Sequence, residues 1–341
     1  MAVCNAKKLR SARNGGANVA FVYLQENNEI IINNGRFCLV TQNGKEICVE
    51  IKEYTELLIS VLRSCDLPQK EITYRSDNLK QAENKPSSIS IVGNRYHDLA
   101  HEIKSLNFLQ QFGKTQISCD YAHKPGSDLI LNDKYYIECV CASAGDVRIS
   151  GFEKYCTKNT LGKVIDYNEK ANILYSRLTT AIKAKRDFYE ERKGRSIPTD
   201  KPYIIFLGLG SLANEMFAED NGFALTSILF GRGNPQIIIN SKTGAVVDSG
   251  YSHNFKINKW NGSAIDCNVF CSQDYCCVSA ILFTDADLFT PYSSNNTFLF
   301  INPFADVRVL KKDFKGLVYW SANPDETYSA RRNGHKCINT P

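Results

Sequence analysis

The segment 203–207, Tyr-Ile-Ile-Phe-Leu, constrains the fold of this chain more than any other feature. All of its residues are apolar, whereas a strand with one face in water alternates apolar and polar residues. A strand of this kind is expected inside a sheet that is covered on both faces. The chain therefore needs helical layers on each side of a sheet, which is the α/β class of fold.

The order of the elements around this strand agrees with that class. Apolar residues at helical spacing predict a helix over 95–112, closed by Gly113, and a long helix over 166–193. Apolar and alternating runs predict strands between and after the helices. We therefore expect a mixed central sheet flanked by helices. The other strands are expected at 116–121, 127–131, 134–142, 223–230, 236–240, 245–247, 278–283 and 297–301.

The first part of the chain is expected to be an appendage to this core. Asn-Gly pairs at 34–35 and 43–44 separate short apolar runs, and Asn-Gly is the strongest short signal for a hairpin. Residues 20–52 should therefore form an antiparallel meander, followed by a helix at 53–65. The polar stretch 67–88 is expected to be a linker or an exposed loop. The predicted division is an appendage at 1–88, an α/β domain at 89–330 and a C-terminal tail at 331–341.

Composition excludes several classes of protein. Of the 341 residues, 43% are hydrophobic and 23% are charged, as in an ordinary globular protein with a sizeable core. No run approaches the ~20 apolar residues that cross a bilayer. Residues 1–16 are polar and basic, without the apolar stretch of a secretory signal. We therefore expect a cytoplasmic protein with no membrane partner.

The cysteines and the net charge bear on partners and cofactors. Thirteen cysteines, an odd number without a Cys-x-x-Cys pair, favour a reduced cytoplasmic protein. The group Cys267, Cys271, Cys276 and Cys277 is either a zinc site or a set of free structural thiols. A formal net charge of +5 is compatible with a polyanionic partner such as nucleic acid. The oligomeric state does not follow from the sequence.

The segment 125–142 places two acids on neighbouring strands. Asp128 lies near the far end of the first strand and Glu138 near the far end of the second, with a turn at 132–133 between them. Neighbouring residues of a strand face opposite sides of the sheet. A two-residue loop would therefore put the two carboxylates on opposite faces.

A three-residue loop at 132–134 would give a different arrangement. It would pair Leu131 with Tyr135 and bring Asp128 directly opposite Glu138. An odd loop, or a bulge, is thus required if both carboxylates are to hold one Mg²⁺, an ion that takes oxygen ligands in tight octahedral geometry.

The order of these elements resembles the α-β-β-β-α-β core of the PD-(D/E)XK nuclease superfamily, which has a restriction-endonuclease-like fold. The resemblance implies that Asp128 and Glu138 bind Mg²⁺ or Mn²⁺. It also implies that Glu102 is the acid often contributed by the preceding helix. The function implied is a divalent-metal-dependent nuclease, which hydrolyses phosphodiester bonds of nucleic acid.

More narrowly, the chain is similar to an uncharacterised bacterial branch of this superfamily. Ile-Glu-Cys-Val at 137–140 matches the Ile-Glu-(Ala/Cys)-Val strand of those proteins. Residues 177–182 match their Arg-x-Thr-(Ser/Thr)-Ala-Ile helix, and residues 243–251 match their Thr-Gly-x-Val-Val-Asp-Ser-Gly-Tyr hairpin. The similarity covers about residues 95–305 and leaves the N-terminal third unexplained.

Val140 departs from the family pattern, since it stands where the family has a lysine two residues after the Glu. That lysine would stabilise the attacking water or the charge that develops on the phosphate. A neighbouring element could supply the missing charge from Lys124, Lys170 or Lys183. The alternative is a catalytically inactive nuclease-like protein that binds or scaffolds. The candidate catalytic residues are Asp128, Glu138, Glu102 and Lys124.

The end of the long helix is strongly basic and could contact phosphates, with salt-dependent binding. The interspersed acids Asp187, Glu190 and Glu191 favour an alternative, a solvated helix face. The basic residues are Lys183, Lys185, Arg186, Arg192, Lys193 and Arg195.

Three other patterns suggest rival chemistry. His97 and His101 share a helix face and could bind zinc, with Asp98 where His-Glu-x-x-His hydrolases have their base. The alternative is a pair of partly exposed helix histidines, one of which could line the nuclease-like site. Residues 208–213 fit Gly-x-Gly-x-x-Ala, although a strand-to-loop turn also explains them. A nucleophilic Cys139 or Cys141 with His123 is the third pattern, against core thiols.

Overall fold

The computed structural model describes twelve stretches of the chain, and the fold is given for these alone. Five helices and sixteen strands lie within them. None of the helices in these stretches is long and apolar enough to cross a bilayer. The described residues are 29–33, 36–40, 46–84, 95–117, 127–142, 167–209, 223–253, 256–258, 263–286, 290–322, 328–332 and 335–336.

The N-terminal meander is confirmed. β1 (Glu29–Asn33), β2 (Arg36–Val40) and β3 (Glu46–Glu50) pair antiparallel in chain order. Both predicted Asn-Gly turns lie outside the described residues. The helix that follows, α1 (Ile51–Ser64), matches its prediction within two residues.

The predicted linker at 67–88 is wrong over most of its length, because a second helix, α2 (Gln69–Glu83), occupies it. Its buried face carries few apolar residues, among them Leu79 and Ala82, and includes the buried charges Glu71 and Arg75. Together with the exposed polar residues of the other face, those charges give the segment the polar composition of a loop. α1 and α2 share one hydrophobic core with the helix beyond residue 95, so this core crosses the predicted boundary at residue 88.

The remaining elements form a mixed α/β arrangement. In chain order they are α3 (Arg95–Leu109), β4 (Thr115–Ile117), β5 (Leu129–Leu131), β6 (Tyr135–Cys141), α4 (Tyr167–Arg192), β7 (Tyr203–Gly208), α5 (Phe223–Phe230), β8 (Arg232–Ile239), β9 (Val246–His253), β10 (Lys256–Asn258), β11 (Ala264–Asp266), β12 (Ala280–Thr284), β13 (Thr297–Ile301), β14 (Val318–Ala322), β15 (Tyr328–Arg332) and β16 (His335–Lys336). Short 3₁₀ turns lie at Gln110–Phe112, Val269–Cys271, Gln273–Tyr275 and Lys311–Phe314.

Nine of the described strands form one mixed sheet, in the order β16-β15-β14-β13-β12-β7-β6-β5-β4. β7 lies in the interior of this sheet, parallel to both β6 and β12. All of its residues are buried. Ile204 and Phe206 face the core shared with α1, α2 and α3, whereas Ile205 and Leu207 face a second core shared with α4 and α5. The expectation that this strand is covered on both faces is confirmed.

Two further predictions need correction. Residues 223–230 form the helix α5 rather than a strand. This run of eight residues is almost entirely apolar, and periodicity cannot tell a short buried strand from a buried helix in such a run. The predicted tail at 331–341 includes the end of β15 and all of β16, which extend the sheet.

Replacement of Leu79 tests whether α2 belongs to the core. Leu79→Ala should lower the free energy of unfolding by about 2–5 kcal/mol, because it leaves a cavity among fully buried side chains. Lys80→Ala is the matched control, because this neighbouring side chain is exposed. Its ion pair with the exposed Glu56, at 3.1 Å, is worth less than about 1 kcal/mol. Denaturant titration measures both. Equal, small effects would show that α2 is dispensable.

Candidate functional site

The hairpin that carries the two acids has a loop with an odd number of residues, which puts both carboxylates on the same face of the sheet. β5 and β6 pair with Leu131 opposite Tyr135, so three residues, 132–134, connect the strands. The first two, an Asn and an Asp, have φ of 55° and 52°, a left-handed region that these residue types tolerate better than most. The same register, continued to the beginning of the hairpin, places Asp128 opposite Glu138. Of the two loop lengths that the sequence left open, the structure has the three-residue loop, which pairs Leu131 with Tyr135.

Two aspartates lie along the edge of β6 beyond Leu129, where β5 begins. The backbone N–H of Cys139 donates to Asp128 Oδ2 at 2.8 Å. The next amide on that edge, Cys141 N–H, donates to Asp98 Oδ1 at 3.1 Å. If β5 were longer, its backbone carbonyl oxygens would accept these hydrogen bonds. The two carboxylates therefore replace the missing part of β5, and this anchors both of them against the strand that bears Glu138.

Lys185 supplies a cation to this group of acids. It projects from α4, and its Nζ donates to Glu138 Oε1 at 2.7 Å. Burial by itself would lower the pKa of Lys185, but the carboxylates of Glu138 and Asp128 raise it above its ordinary value. The ammonium group therefore stays protonated. Val140, two residues after Glu138, has no charge, so the cation at this site comes from a helix and not from the strand.

Glu102 is held by Arg75, which lies in the segment that was predicted to be a linker. Arg75 of α2 bonds Glu102 Oε1 through Nη1, and its Nε lies 3.2 Å from Glu71 Oε2. The charge of Arg75 also acts on Asp128. The predicted acid on α3 thus belongs to the same electrostatic cluster as Asp128. Glu71 and Arg75 have the i, i+4 spacing of a helical ion pair, which is a sequence signal for this helix.

Burial raises the pKa of four carboxyl groups near β6. Burial and then repulsion from Glu138 raise the pKa of Asp128 to about 7, against the pull of Lys185. Burial raises the pKa of Asp98 to about 6. The pKa values of Glu138 and Glu102 are also raised by burial, and nearby cations oppose both shifts. A cation bound here would oppose these shifts, because a nearby positive charge favours the ionised carboxylates.

The arrangement of His101 does not suit a zinc ligand. Its Nε2 donates to the Phe206 carbonyl oxygen at 2.8 Å, and its Nδ1 accepts from the Tyr292 hydroxyl at 2.6 Å. Both ring nitrogens are thus engaged, and burial lowers the pKa of this imidazole to about 3. His97 lies buried on the same helix, so these histidines are not partly exposed. The side chains of His123, His253 and His335 lie outside the described residues.

The lysines proposed as substitutes have different outcomes. Lys124 lies outside the described residues, and so does the side chain of Lys170. Lys183 is exposed on α4. Lys185, which contacts Glu138, is one of the basic residues at the end of the long helix and was not among the three predicted substitutes.

Much of the basic end of α4 pairs with neighbouring groups. Arg186 Nε lies 2.6 Å from Asp187 Oδ1, and Lys193 pairs with Glu190. The guanidinium of Arg192 lies 4.0 Å from the centre of the Phe188 ring. These contacts agree with the solvated helix face that the interspersed acids favoured.

The cysteines have no metal-like arrangement in the part of the chain that the structure describes. Cys267 and Cys277 are buried and free, and Cys271 is exposed. Among the described residues, no three His, Cys, Asp or Glu side chains come together as a ready metal site. On β6, Cys139 and Cys141 are buried, and burial raises the pKa of Cys139 well above its ordinary value. A thiol of this kind is a poor nucleophile.

Gly208 has a packing role at the end of β7. A Cβ atom placed there would lie 2.9 Å from His101 Nδ1 and 3.3 Å from Cys141 Sγ. Close approach of α3 to the sheet therefore explains a glycine at this position. Residues 210–222, which would carry the rest of a dinucleotide-binding turn, lie outside the described residues.

Comparisons with known proteins give no further guide to this site. The chain matches no protein-family model, no curated protein and no solved structure. What the site can do is therefore inferred from its own contacts and charges.

The raised pKa of Asp128 predicts a pH dependence of stability in metal-free protein. The ordinary aspartate pKa of 3.8 is below the folded value of about 7. The folded state therefore binds more protons than the unfolded state between these values, and this carboxyl group makes the protein less stable as the pH rises through that window. The free energy of unfolding is compared in the presence of a metal chelator. Between about pH 4 and pH 7 it should fall by roughly 1–3 kcal/mol less in Asp128→Asn than in wild type.

The measurement is denaturant unfolding at both pH values. Asn keeps an oxygen that can accept the Cys139 amide, so the hydrogen bond is retained. Asp133→Asn, in the exposed turn of the same hairpin, is the control and should leave the pH dependence unchanged. An identical pH dependence in wild type and Asp128→Asn would contradict the buried, proton-binding carboxyl group.

Proposed function

We propose that this chain is a divalent-metal-dependent phosphodiesterase of the PD-(D/E)XK nuclease type, with a restriction-endonuclease-like core, acting on nucleic acid in the cytoplasm. One observation carries the proposal. Lys185 Nζ lies 2.7 Å from Glu138 Oε1, beside the carboxylate of Asp128. A strand acid, a second acid opposite it and a lysine are the groups that this chemistry needs. Here the lysine comes from α4, in place of the residue lost at Val140.

The donor set fits Mg²⁺ or Mn²⁺. Glu138 Oε2 is buried and has no hydrogen-bond partner among the described residues, and an oxygen of this kind is suited to a cation. The raised pKa of Asp128, caused by burial and by Glu138, supports the same interpretation. Asp128 and Glu138 would hold the ion. When bound, it would lower the pKa of a water molecule and offset charge on the phosphate.

The protein's own groups have separate roles in this proposal. Lys185 keeps its proton and places a positive charge next to Glu138, where it can stabilise the negative charge that develops on the reacting phosphate. The Cys139 amide orients Asp128. Arg75 holds Glu102, so we assign Glu102 a positioning role and not that of a ligand.

Substitutions on α4 and β6 test this function. Wild-type protein should cleave plasmid or single-stranded DNA or RNA only with Mg²⁺ or Mn²⁺. Asp128→Ala and Glu138→Ala should abolish cleavage, and Lys185→Ala should slow it by about 10²–10³-fold, because a preorganised charge is lost. Rates are measured on labelled substrates with excess enzyme.

Lys183→Ala is the matched control, since it removes a lysine from the same helix at an exposed position. It should leave the rate unchanged. Equal effects of Lys183→Ala and Lys185→Ala, or cleavage that survives Asp128→Ala and Glu138→Ala, would contradict the assignment.

Metal binding distinguishes this enzyme from a catalytically inactive nuclease-like protein. Isothermal titration with Mn²⁺ should show one binding event in wild type that Asp128→Asn and Glu138→Gln remove. Binding without cleavage of any nucleic acid would favour the scaffold, because the carboxylates would hold an ion that does no chemistry. Absence of binding would contradict the metal site.

A further inference from the structure

Arg75 is a buried cation on which three carboxylates act. Its Nε donates to Glu71 Oε2 at 3.2 Å, and its Nη1 donates to Glu102 Oε1. Burial by itself would lower the pKa of Arg75, but the carboxylates of Glu102, Glu71 and Asp128 raise it above its ordinary value. The guanidinium therefore stays charged, and its charge reaches Asp128, one of the two proposed metal ligands.

The ion pairs of Arg75 lie away from water. Its side chain is 9% exposed, that of Glu71 is 7% exposed and that of Glu102 is 15% exposed. Carboxylates removed from water to this extent need a partner of opposite charge, because their desolvation is costly. Arg75 is the cation in direct contact with both glutamates.

Arg75 does not use all of the binding capacity of Glu71. The second oxygen of this carboxylate, Oε1, is buried and has no hydrogen-bond partner within the stretches that the structure describes. A guanidinium is planar and donates only along fixed directions. A hydrated divalent ion, in contrast, presents an octahedral set of positions to oxygen ligands. The carboxylate of Glu71 could therefore serve a metal ion as well as it serves Arg75.

The place of Arg75 in the acidic cluster indicates what its charge does. Asp128 interacts both with Lys185 and with Arg75. Many enzymes that cleave phosphodiester bonds use two metal ions, roughly 4 Å apart, among a group of carboxylates. Here a fixed guanidinium supplies positive charge to carboxylates that a second ion would otherwise neutralise.

We propose that Arg75 is a built-in substitute for a second divalent ion, so that the site holds a single ion at Asp128 and Glu138. The single ion rests on the proposed function, whereas the role of Arg75 between Glu71 and Glu102 does not. Without the guanidinium, both glutamates would border the volume that it leaves, as buried and unpaired carboxylates. A divalent ion with some of its waters would enter that polar volume and neutralise them.

The test counts the Mn²⁺ ions that the full chain binds, by calorimetric titration and by the paramagnetic resonance signal of free Mn²⁺. Wild type should bind one ion. Arg75→Ala should bind two, because an ion replaces the guanidinium between the glutamates. Arg75→Lys is the matched control: it keeps a positive charge at the same position and should bind one ion.

Two further variants separate a new ion site from a simple loss of charge. The double variant Arg75→Ala/Glu102→Gln should bind one ion again, because it lacks one of the two glutamates. Glu102→Gln alone should bind one ion with a Kd within about threefold of the wild-type value, since Glu102 pairs with Arg75 and is not a ligand of the first ion.

The outcomes distinguish this inference from the proposed function. One ion in both wild type and Arg75→Ala would overturn the inference and leave the function standing. No ion in wild type and one in Arg75→Ala would support the role of Arg75 and contradict the function. Two ions in wild type, no ion in either protein, or a second ion that persists in the double variant would overturn the inference.

Folding of Arg75→Ala is followed by circular dichroism. If this variant is unfolded in a metal chelator, Mn²⁺ should refold it, because the ion binds only the folded state. An Arg75→Ala protein that stays unfolded at saturating Mn²⁺ would overturn the inference as well.

Discussion

The site depends on where β5 begins. Because that strand starts only at Leu129, the amides of Cys139 and Cys141 on β6 donate to the carboxylates of Asp128 and Asp98 and not to a neighbouring strand. This places two acids beside Glu138 in a partly dry environment. Isolated buried carboxylates are unfavourable, so the cluster requires cations. Lys185 from α4 and Arg75 from α2 supply them from two different helices.

This requirement connects the site to the architecture. The central strand β7 is apolar on both faces, which forces helices onto both sides of the sheet. One layer carries Arg75 and Glu102, and the other carries Lys185. The acidic cluster lies where both layers reach the end of the hairpin. Four carboxyl groups of raised pKa lie near the two cations Lys185 and Arg75, and Oε2 of Glu138 has no hydrogen-bond partner among the described residues. A divalent ion would favour the ionised forms of these carboxyl groups.

Local signals predicted much of this from the sequence. Alternation and loop parity reduced the arrangement of Asp128 and Glu138 to two alternatives, between which only the strand register decides, and the apolar run in β7 required a covered sheet. The misses share one cause, which is that tertiary contacts override local pattern. α2 carries the ion-paired charges Glu71 and Arg75 on its buried face, so its composition resembled that of a loop. α5 is almost entirely apolar, so the spacing of its apolar residues did not distinguish a helix from a strand. Lys185 was one of several cations at the end of α4, and only the packing of that helix distinguishes it.

The most direct test of the account is the position of the metal. Anomalous diffraction from crystals of the full chain grown with Mn²⁺ would locate the ion. The account predicts a peak about 2.2 Å from carboxylate oxygens of both Asp128 and Glu138, with Lys185 still close to Glu138. A fully occupied Mn²⁺ elsewhere, or none at saturating concentration while the two carboxylates stay as described, would contradict it.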